Sequence, residues 1–255
     1  MENEFTGQVA IVTGAGQGIG FGIARELSLK GAIVMLNDEK GKLAVHAAAA
    51  IRKAGGACEP WAGDIADPDF VREMTETAVE KFGKLTIAVA NAGLTLVGDF
   101  FTYSPEQLQR MMNVNVGGTF FLAQQAARHM KLNHEKGSLL FMSSVAAHQA
   151  HKNLAAYSMT KAAIEMLSKN LVAELSPYGI TVNTLAPGAT QTERTIGDRD
   201  YKNNWAAITP LGRIAETADI VNAALFLVSP ASRHITGQTL VIDGGWTSVS
   251  PPYCS

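Results

Sequence analysis

Val9-Ala10-Ile11-Val12-Thr13-Gly14-Ala15-Gly16-Gln17-Gly18-Ile19-Gly20 is the stretch that decides the fold. Four apolar residues run into a glycine-rich turn, and an amphipathic pattern follows with Ile19, Ile23, Ala24 and Leu27 on one face. A short, fully apolar run suits a strand buried on both faces, as in a parallel sheet. Glycines at the strand–helix junction let the backbone turn tightly and approach an anion closely. The helix behind them offers free N–H groups and the positive end of its dipole. That helix is expected to stop near Lys30-Gly31, because glycine readily closes helices.

The same rhythm extends outward through the 255 residues. Apolar runs predict further strands at 32–36, about 58–62, 85–90, 138–142, 180–185 and 239–242. One helix passes through Leu43, Ala47, Ala50 and Ile51. Another opens at Asp67-Pro68, with Asp as N-cap and Pro at the first helical position, and closes at Phe82-Gly83. Helices are also expected at about 105–131, broken or bent near Gly117-Gly118, at 155–176 and at 218–227. Right-handed crossovers place such helices on both sides of a sheet. The expectation is a single-domain α/β, doubly wound, Rossmann-type fold with a seven-stranded parallel sheet. The one long irregular stretch, from Pro187 to about Glu216, is expected to carry a substrate lid loop at about 190–215.

Composition excludes several classes. A net charge of −2 argues against a nucleic-acid partner. No run of 18 apolar residues predicts a membrane span. The first five residues lack the basic and apolar parts of a secretory leader, so a cytoplasmic location is expected. Cys58 and Cys254 are far apart and form no CxxC pair, which in a reducing compartment favours free thiols. His148 and His151 lack cysteine or carboxylate neighbours, and no metal is expected there. The tail 251–255 is too short to fold alone and is a candidate to dock on a neighbouring subunit.

Asp38 ends the second strand about twenty residues after the turn, where a carboxylate can accept from the ribose hydroxyls of a dinucleotide. It would repel a 2′-phosphate, and neither Gln17 nor Glu39 is basic, so NAD is favoured over NADP. Tyr157 and Lys161 stand four residues apart on one helix face. An ammonium beside a phenol favours the phenolate and brings it toward the range of a general acid/base. Ser144 follows the strand at 138–142, at the carboxyl edge of the sheet, where ligands bind. It could hydrogen-bond a substrate oxygen. No G-x-S-x-G elbow surrounds it, so a nucleophilic role is unsupported.

Taken in order, Thr13-Gly14-x-x-x-Gly18-x-Gly20, Asp64, Asn91-Ala92-Gly93, Asn115, Ser144, Tyr157-x-x-x-Lys161, Asn183 and Pro187-Gly188 resemble the short-chain dehydrogenase/reductase family over nearly the whole chain. The resemblance implies that Tyr157 is the acid/base and that Lys161 assists it and holds the nicotinamide ribose. Ser144 would orient the substrate oxygen, and Asn115 would help hold a water linking Lys161 to solvent. Gly14, Gln17, Gly18, Ile19 and Gly20 would cradle the cofactor. Asp64 would accept from the adenine amino group with Ile65 packed beside it. Asn91, Ala92 and Gly93 would line the adenine–ribose region. Pro187 would precede Gly188, Ala189 and Thr192, which would hold the nicotinamide carboxamide. Ala90 stands where the family often has a second Asn. The resemblance also implies a homotetramer with the 155–176 helix in an interface.

The stretch 187–195 resembles sugar and polyol dehydrogenases of the glucose 1-dehydrogenase type, so a small-molecule sugar, polyol or hydroxy compound is the expected substrate. Two alternatives stand beside it. One is a 3-oxoacyl-carrier-protein reductase, against which Asp38 and Gln17 speak. The other is a non-catalytic nucleotide-sensing protein, against which the intact Ser144, Tyr157 and Lys161 set speaks. His151 and Trp205 are candidate substrate residues, with Trp205 either a lid residue or a packing anchor.

Overall fold

A computed structural model describes residues 4–249. The expectations for Cys254 and the tail 251–255 lie outside the described residues. Seven strands form one sheet: β1 Val9–Val12, β2 Ile33–Asp38, β3 Ala57–Ala62, β4 Ile87–Ala90, β5 Ser138–Met142, β6 Thr181–Pro187 and β7 Thr239–Ile242. All neighbours pair in parallel, in the order β3-β2-β1-β4-β5-β6-β7. The strand order reverses between β1 and β4, and ligands bind open α/β sheets at the carboxyl side of such a reversal.

Alternation along β1 shows how the sheet divides the core. Ala10 and Val12 pack into one layer with Ile23 and Leu27 of α1 (Gly18–Leu29), Ile51 of α2 (Gly41–Lys53) and Ile220 of a C-terminal helix, Thr217–Val228. Val9 and Ile11 pack into the other with Met74 of α3 (Pro68–Phe82) and Leu122 and Ile164 from helices described next. Successive strand residues point to opposite faces, so each central strand must be apolar throughout. Mixed composition appears only toward the edge, as in β3, where Pro60 is tolerated.

Two expectations need correction. The bend placed at Gly117-Gly118 is a π-helical segment, Met112–Gly117, joining α4 (Pro105–Met111) to α5 (Gly118–Leu132). Such segments often mark functional sites. The stretch from 187 to 216 is not irregular. It holds α7 (Arg199–Ile208) and a two-stranded pair, Thr190–Gln191 with Ala215–Glu216. No residue of α7 is fully buried, although Tyr201, Trp205 and Ile208 recur at helical spacing along one side. α2 passes through Leu43, Ala47, Ala50 and Ile51 as expected and buries Ala44, Ala47, Ala48 and Ile51. The long helix is α6, Ala155–Leu175, and the C-terminal helix Thr217–Val228 is α8. Among the described residues, no helix is long and apolar enough to cross a membrane.

Candidate active site

The turn after β1 lies against the end of β4. Gly14 adopts φ +59°, and a Cβ there would stand 2.7 Å from the Ala92 Cα. A Cβ on Gly20 would collide with Asn91 Nδ2. Asn91 Nδ2 donates to the carbonyls of Thr13 (2.9 Å) and Gly14 (3.0 Å). The backbone N–H groups of Asn91 and Ala92 donate to Thr13 Oγ1. The Gln17 side chain does not cap α1, so the first-turn N–H groups remain free for a ligand. Backbone donors, a helix N-terminus and space no side chain can enter suit a pyrophosphate.

Two cavities meet at this turn, each of about 290 Å³. They share Gly14, Gln17, Ala92, Gly93 and Arg194. The first lies between the ends of β2, β3 and the π segment and is lined by Asp38, Asp64, Ile65, Arg110 and Val114. Asp38 Oδ2 accepts from Gly16 N–H and Oδ1 from Lys40 N–H, both at 3.0 Å. Asp64 accepts from Ala66 N–H at 2.9 Å and from Arg110 Nη1 at 2.6 Å. Desolvation opposes the Asp64 charge, but those two donors outweigh it and hold the carboxyl below its usual range.

The second cavity brings together Ser144, Tyr157, Lys161, Ile19, Thr192 and Tyr201. Lys161 is 4% exposed, and its Nζ donates to the Met142 carbonyl at 2.7 Å. The same Nζ stands 5.6 Å from the centre of the Tyr157 ring. Burial pushes the Lys161 pKa down, and the neighbouring Tyr157 acts in the opposite direction. Ser144 Oγ accepts from Ala146 N–H at 3.2 Å, at the head of a single 3₁₀ turn. Next to it, Ser143 Oγ bonds Glu165 Oε1 at 2.7 Å, and His148 Nε2 meets the same Oε1 at 3.0 Å. The Ser144 loop is thus pinned to α6, the helix that carries Tyr157 and Lys161.

Asn115 is buried in the π segment. Its Nδ2 donates to the Leu94 carbonyl (2.9 Å) and Thr160 Oγ1 (3.0 Å), and its Oδ1 accepts from Leu94 N–H (2.8 Å). The side chain therefore ties the β4 loop to α6. A Cβ on Gly93 would lie 3.3 Å from Lys161 Nζ, which shows how closely that loop approaches the ammonium. Asn91 lines the Tyr157 cavity rather than the Asp38 one, while Ala92 and Gly93 line both. Beyond Pro187, Gly188 N–H donates to the Ile242 carbonyl and Ala189 carbonyl accepts from Ala215 N–H, both at 2.9 Å. Asn183 is spent on the Ile235 carbonyl and Gln238 N–H.

His151 and Trp205 meet each other, and Trp246 joins them. His151 stacks on Trp246 at 5.1 Å and 19°, and Trp205 contacts both rings at 5.7 and 5.4 Å. Tyr201 of α7 stands 6.4 Å from Trp205 and is the member of this cluster that lines the Tyr157 cavity. Asp243 fixes the turn bearing Trp246 by accepting from Gly245 N–H and from Thr247 N–H and Oγ1. Sequence reading missed Arg110, Tyr201 and Trp246. Arg110 and Val114 do share a helix face one turn apart beside Asn115, a signal that could have drawn Arg110 in. Tyr201 stands one helical turn before Trp205, a spacing that could have drawn it in, whereas no local spacing marks Trp246.

The comparisons with known proteins agree with this geometry. A family model described as enoyl-(acyl carrier protein) reductase matches residues 14–247. The L-rhamnose-1-dehydrogenase of Scheffersomyces stipitis is 34% identical over 257 residues, covering 96% of this chain and 98% of its own. The chain belongs to the short-chain dehydrogenase/reductase family. It is a hydride-transfer oxidoreductase that acts on hydroxyl or carbonyl groups with a nicotinamide cofactor. A short-chain dehydrogenase/reductase structure from Mycobacterium marinum superimposes with a TM-score of 0.91 at 33% identity, over 96% of this chain and 98% of that one. A gluconate 5-dehydrogenase from Burkholderia cenocepacia J2315, solved with NADP and tartrate, gives 0.90 at 34% identity, over 97% and 99%.

Proposed function

We propose that this protein is an NAD-dependent dehydrogenase of a sugar, polyol or related hydroxy compound, assembled as a homotetramer. One observation carries the reading. Ser144, Tyr157 and Lys161 line the same cavity as the glycine-rich turn, so a proton carrier faces the place where a dinucleotide would end. When bound, the nicotinamide supplies the hydride chemistry. Tyr157 exchanges a proton with the substrate oxygen, and Ser144 donates a hydrogen bond that fixes that oxygen. Lys161 places positive charge beside the phenol and reaches the adjoining ribose. Asn115 keeps the loop near Lys161 in place.

The glycine-rich turn, with Gln17 and Ile19, would hold the pyrophosphate. Asp38 would hold the adenosine ribose, Asp64 and Ile65 the adenine, and Gly188, Ala189 and Thr192 the carboxamide. The segment 190–215, with α7 inside it, covers the substrate end, and His151 and Trp205 back that cover through Tyr201. The substrate class rests on the names of the rhamnose and gluconate enzymes. The solved gluconate enzyme carries NADP, so the choice of NAD rests on this chain's own Asp38. Two backbone N–H groups hold that carboxylate in position, and a 2′-phosphate would meet a fixed anion. The homotetramer draws support from exposed apolar residues on two faces, Phe120 and Met166 on α5 and α6, and Phe226 and Leu240 on α8 and β7.

The test is kcat/KM for NAD and NADP over a panel of sugars, polyols and hydroxy acids. At several kcal/mol of like-charge repulsion, NAD should lead by at least about tenfold. A lead for NADP would overturn the cofactor assignment, and a panel without turnover the substrate class.

A further inference from the structure

The adenine-side cavity carries an ion-pair bridge that the reading above leaves unused. Arg110, near the end of α4, donates through Nη1 to Asp64 Oδ2 at 2.6 Å and through Nη2 to Glu39 Oε1 at 3.1 Å. Glu39 follows β2 and Asp64 follows β3, so the guanidinium spans the mouth of the cavity from its ribose side to its adenine side. The three side chains are 37% (Arg110), 38% (Asp64) and 60% (Glu39) exposed. Ion pairs this wet are weak and give way readily to a competing ligand. Asp64 has already spent its other oxygen on Ala66 N–H. An amino group that reaches Oδ2 must share that oxygen with Arg110 or displace it. A displaced guanidinium stays at the cavity wall, and its planar face is suited to stack on an aromatic ring.

We propose that Arg110 is a specificity-determining clamp on the adenine end of the bound dinucleotide. Asp64 and Glu39 hold it across the cleft, and it closes on the purine face as the ring enters. Glu39 has a second part, keeping the cation paired beside the place that a 2′-phosphate would occupy. The proposal rests on the dinucleotide reading but not on the choice between NAD and NADP, because both carry adenine.

The experiment measures dissociation constants by nicotinamide fluorescence for NADH, NADPH and reduced nicotinamide mononucleotide, which lacks adenine. The proteins are the full chain and its R110A, R110Q and E39Q variants. R110A and R110Q should each weaken NADH about fivefold or more while leaving the mononucleotide within about twofold. E39Q should narrow the gap between NADH and NADPH. NADH binding unchanged in both arginine variants would overturn the clamp, as would an equal loss for the mononucleotide. An unaltered NADH-to-NADPH ratio in E39Q would overturn the part given to Glu39. The wild-type ratio tests the NAD reading separately. If wild type prefers NADPH, that reading falls, while the adenine-dependent loss still decides the clamp.

Discussion

The floor of the Tyr157 cavity and the segment proposed to cover it are built in opposite ways. The floor is assembled from strand ends and from side chains fixed by hydrogen bonds to neighbouring elements. Asn115 makes three hydrogen bonds, Lys161 is anchored on the Met142 carbonyl, and Ser143 ties the Ser144 loop to Glu165. The cover has α7 with no buried residue, and Ile196, Ile208 and Leu211 are exposed around it. Ring contacts among Tyr201, Trp205, Trp246 and His151 hold it to the rest. Proton transfer tolerates little misplacement and needs a rigid support. Substrate entry needs a segment drawn from the less stable end of the structure. The contrast assigns reaction rate to the floor and substrate affinity to the cover.

The largest effect should come from the floor. Tyr157→Phe removes the proton carrier and leaves its ring in place. kcat should fall by about a thousandfold, within the range for losing a general acid/base. NADH affinity, read by nicotinamide fluorescence, should stay within about twofold. Turnover near the wild-type level would break the assignment of chemistry to the floor.

An intermediate effect should come from the cover. Trp246→Ala removes the ring on which His151 stacks and which Trp205 meets edge-on. Aromatic pairs contribute about 0.5–1.5 kcal/mol each beyond their burial. The substrate KM should rise about tenfold with a smaller change in kcat, since two such pairs are lost from the latch. A fall in melting temperature with no change in KM would show that the cluster only packs, and would remove the lid from the argument.

The same contrast governs what sequence reading could see. β1 and β5 are buried throughout and are apolar but for Ser138, so both are legible to the residue. The helical spacing of Tyr157 and Lys161 is common by itself and gains meaning only beside Ser144, after a strand, and the ordered set of family residues. The helix α7 repeats Tyr201, Trp205 and Ile208 at helical spacing, but over only ten residues, too short a run to stand out as a periodic pattern. The π segment is hidden for another reason. Within it Asn115 bonds Thr160 of α6, 45 residues away, and no local pattern encodes that contact. Arg110 finds its partners 46 and 71 residues away in sequence, at Asp64 and Glu39, so its role emerges only after folding.

The smallest effect is also the sharpest test of whether floor and cover are separate. Cys58 of β3 is buried in the layer beneath α1 and α2, and burial pushes its thiol up to about 12, with Arg52 opposing and Glu59 adding. Below the ordinary value of 9.0, folded and unfolded chains bind the same proton, and this thiol gives stability no pH dependence. Between 9.0 and about 12 the unfolded chain loses the proton and the folded chain keeps it, so stability falls as pH rises through that window. At pH 8, alkylation of Cys58 therefore requires the sheet to open, and iodoacetamide labelling followed by peptide mass should be slow. Trp246→Ala, which loosens only the cover, should leave that rate within about twofold of wild type. A markedly faster rate in the variant would show that cover and sheet open together, and the division between a rigid floor and a yielding lid would fail.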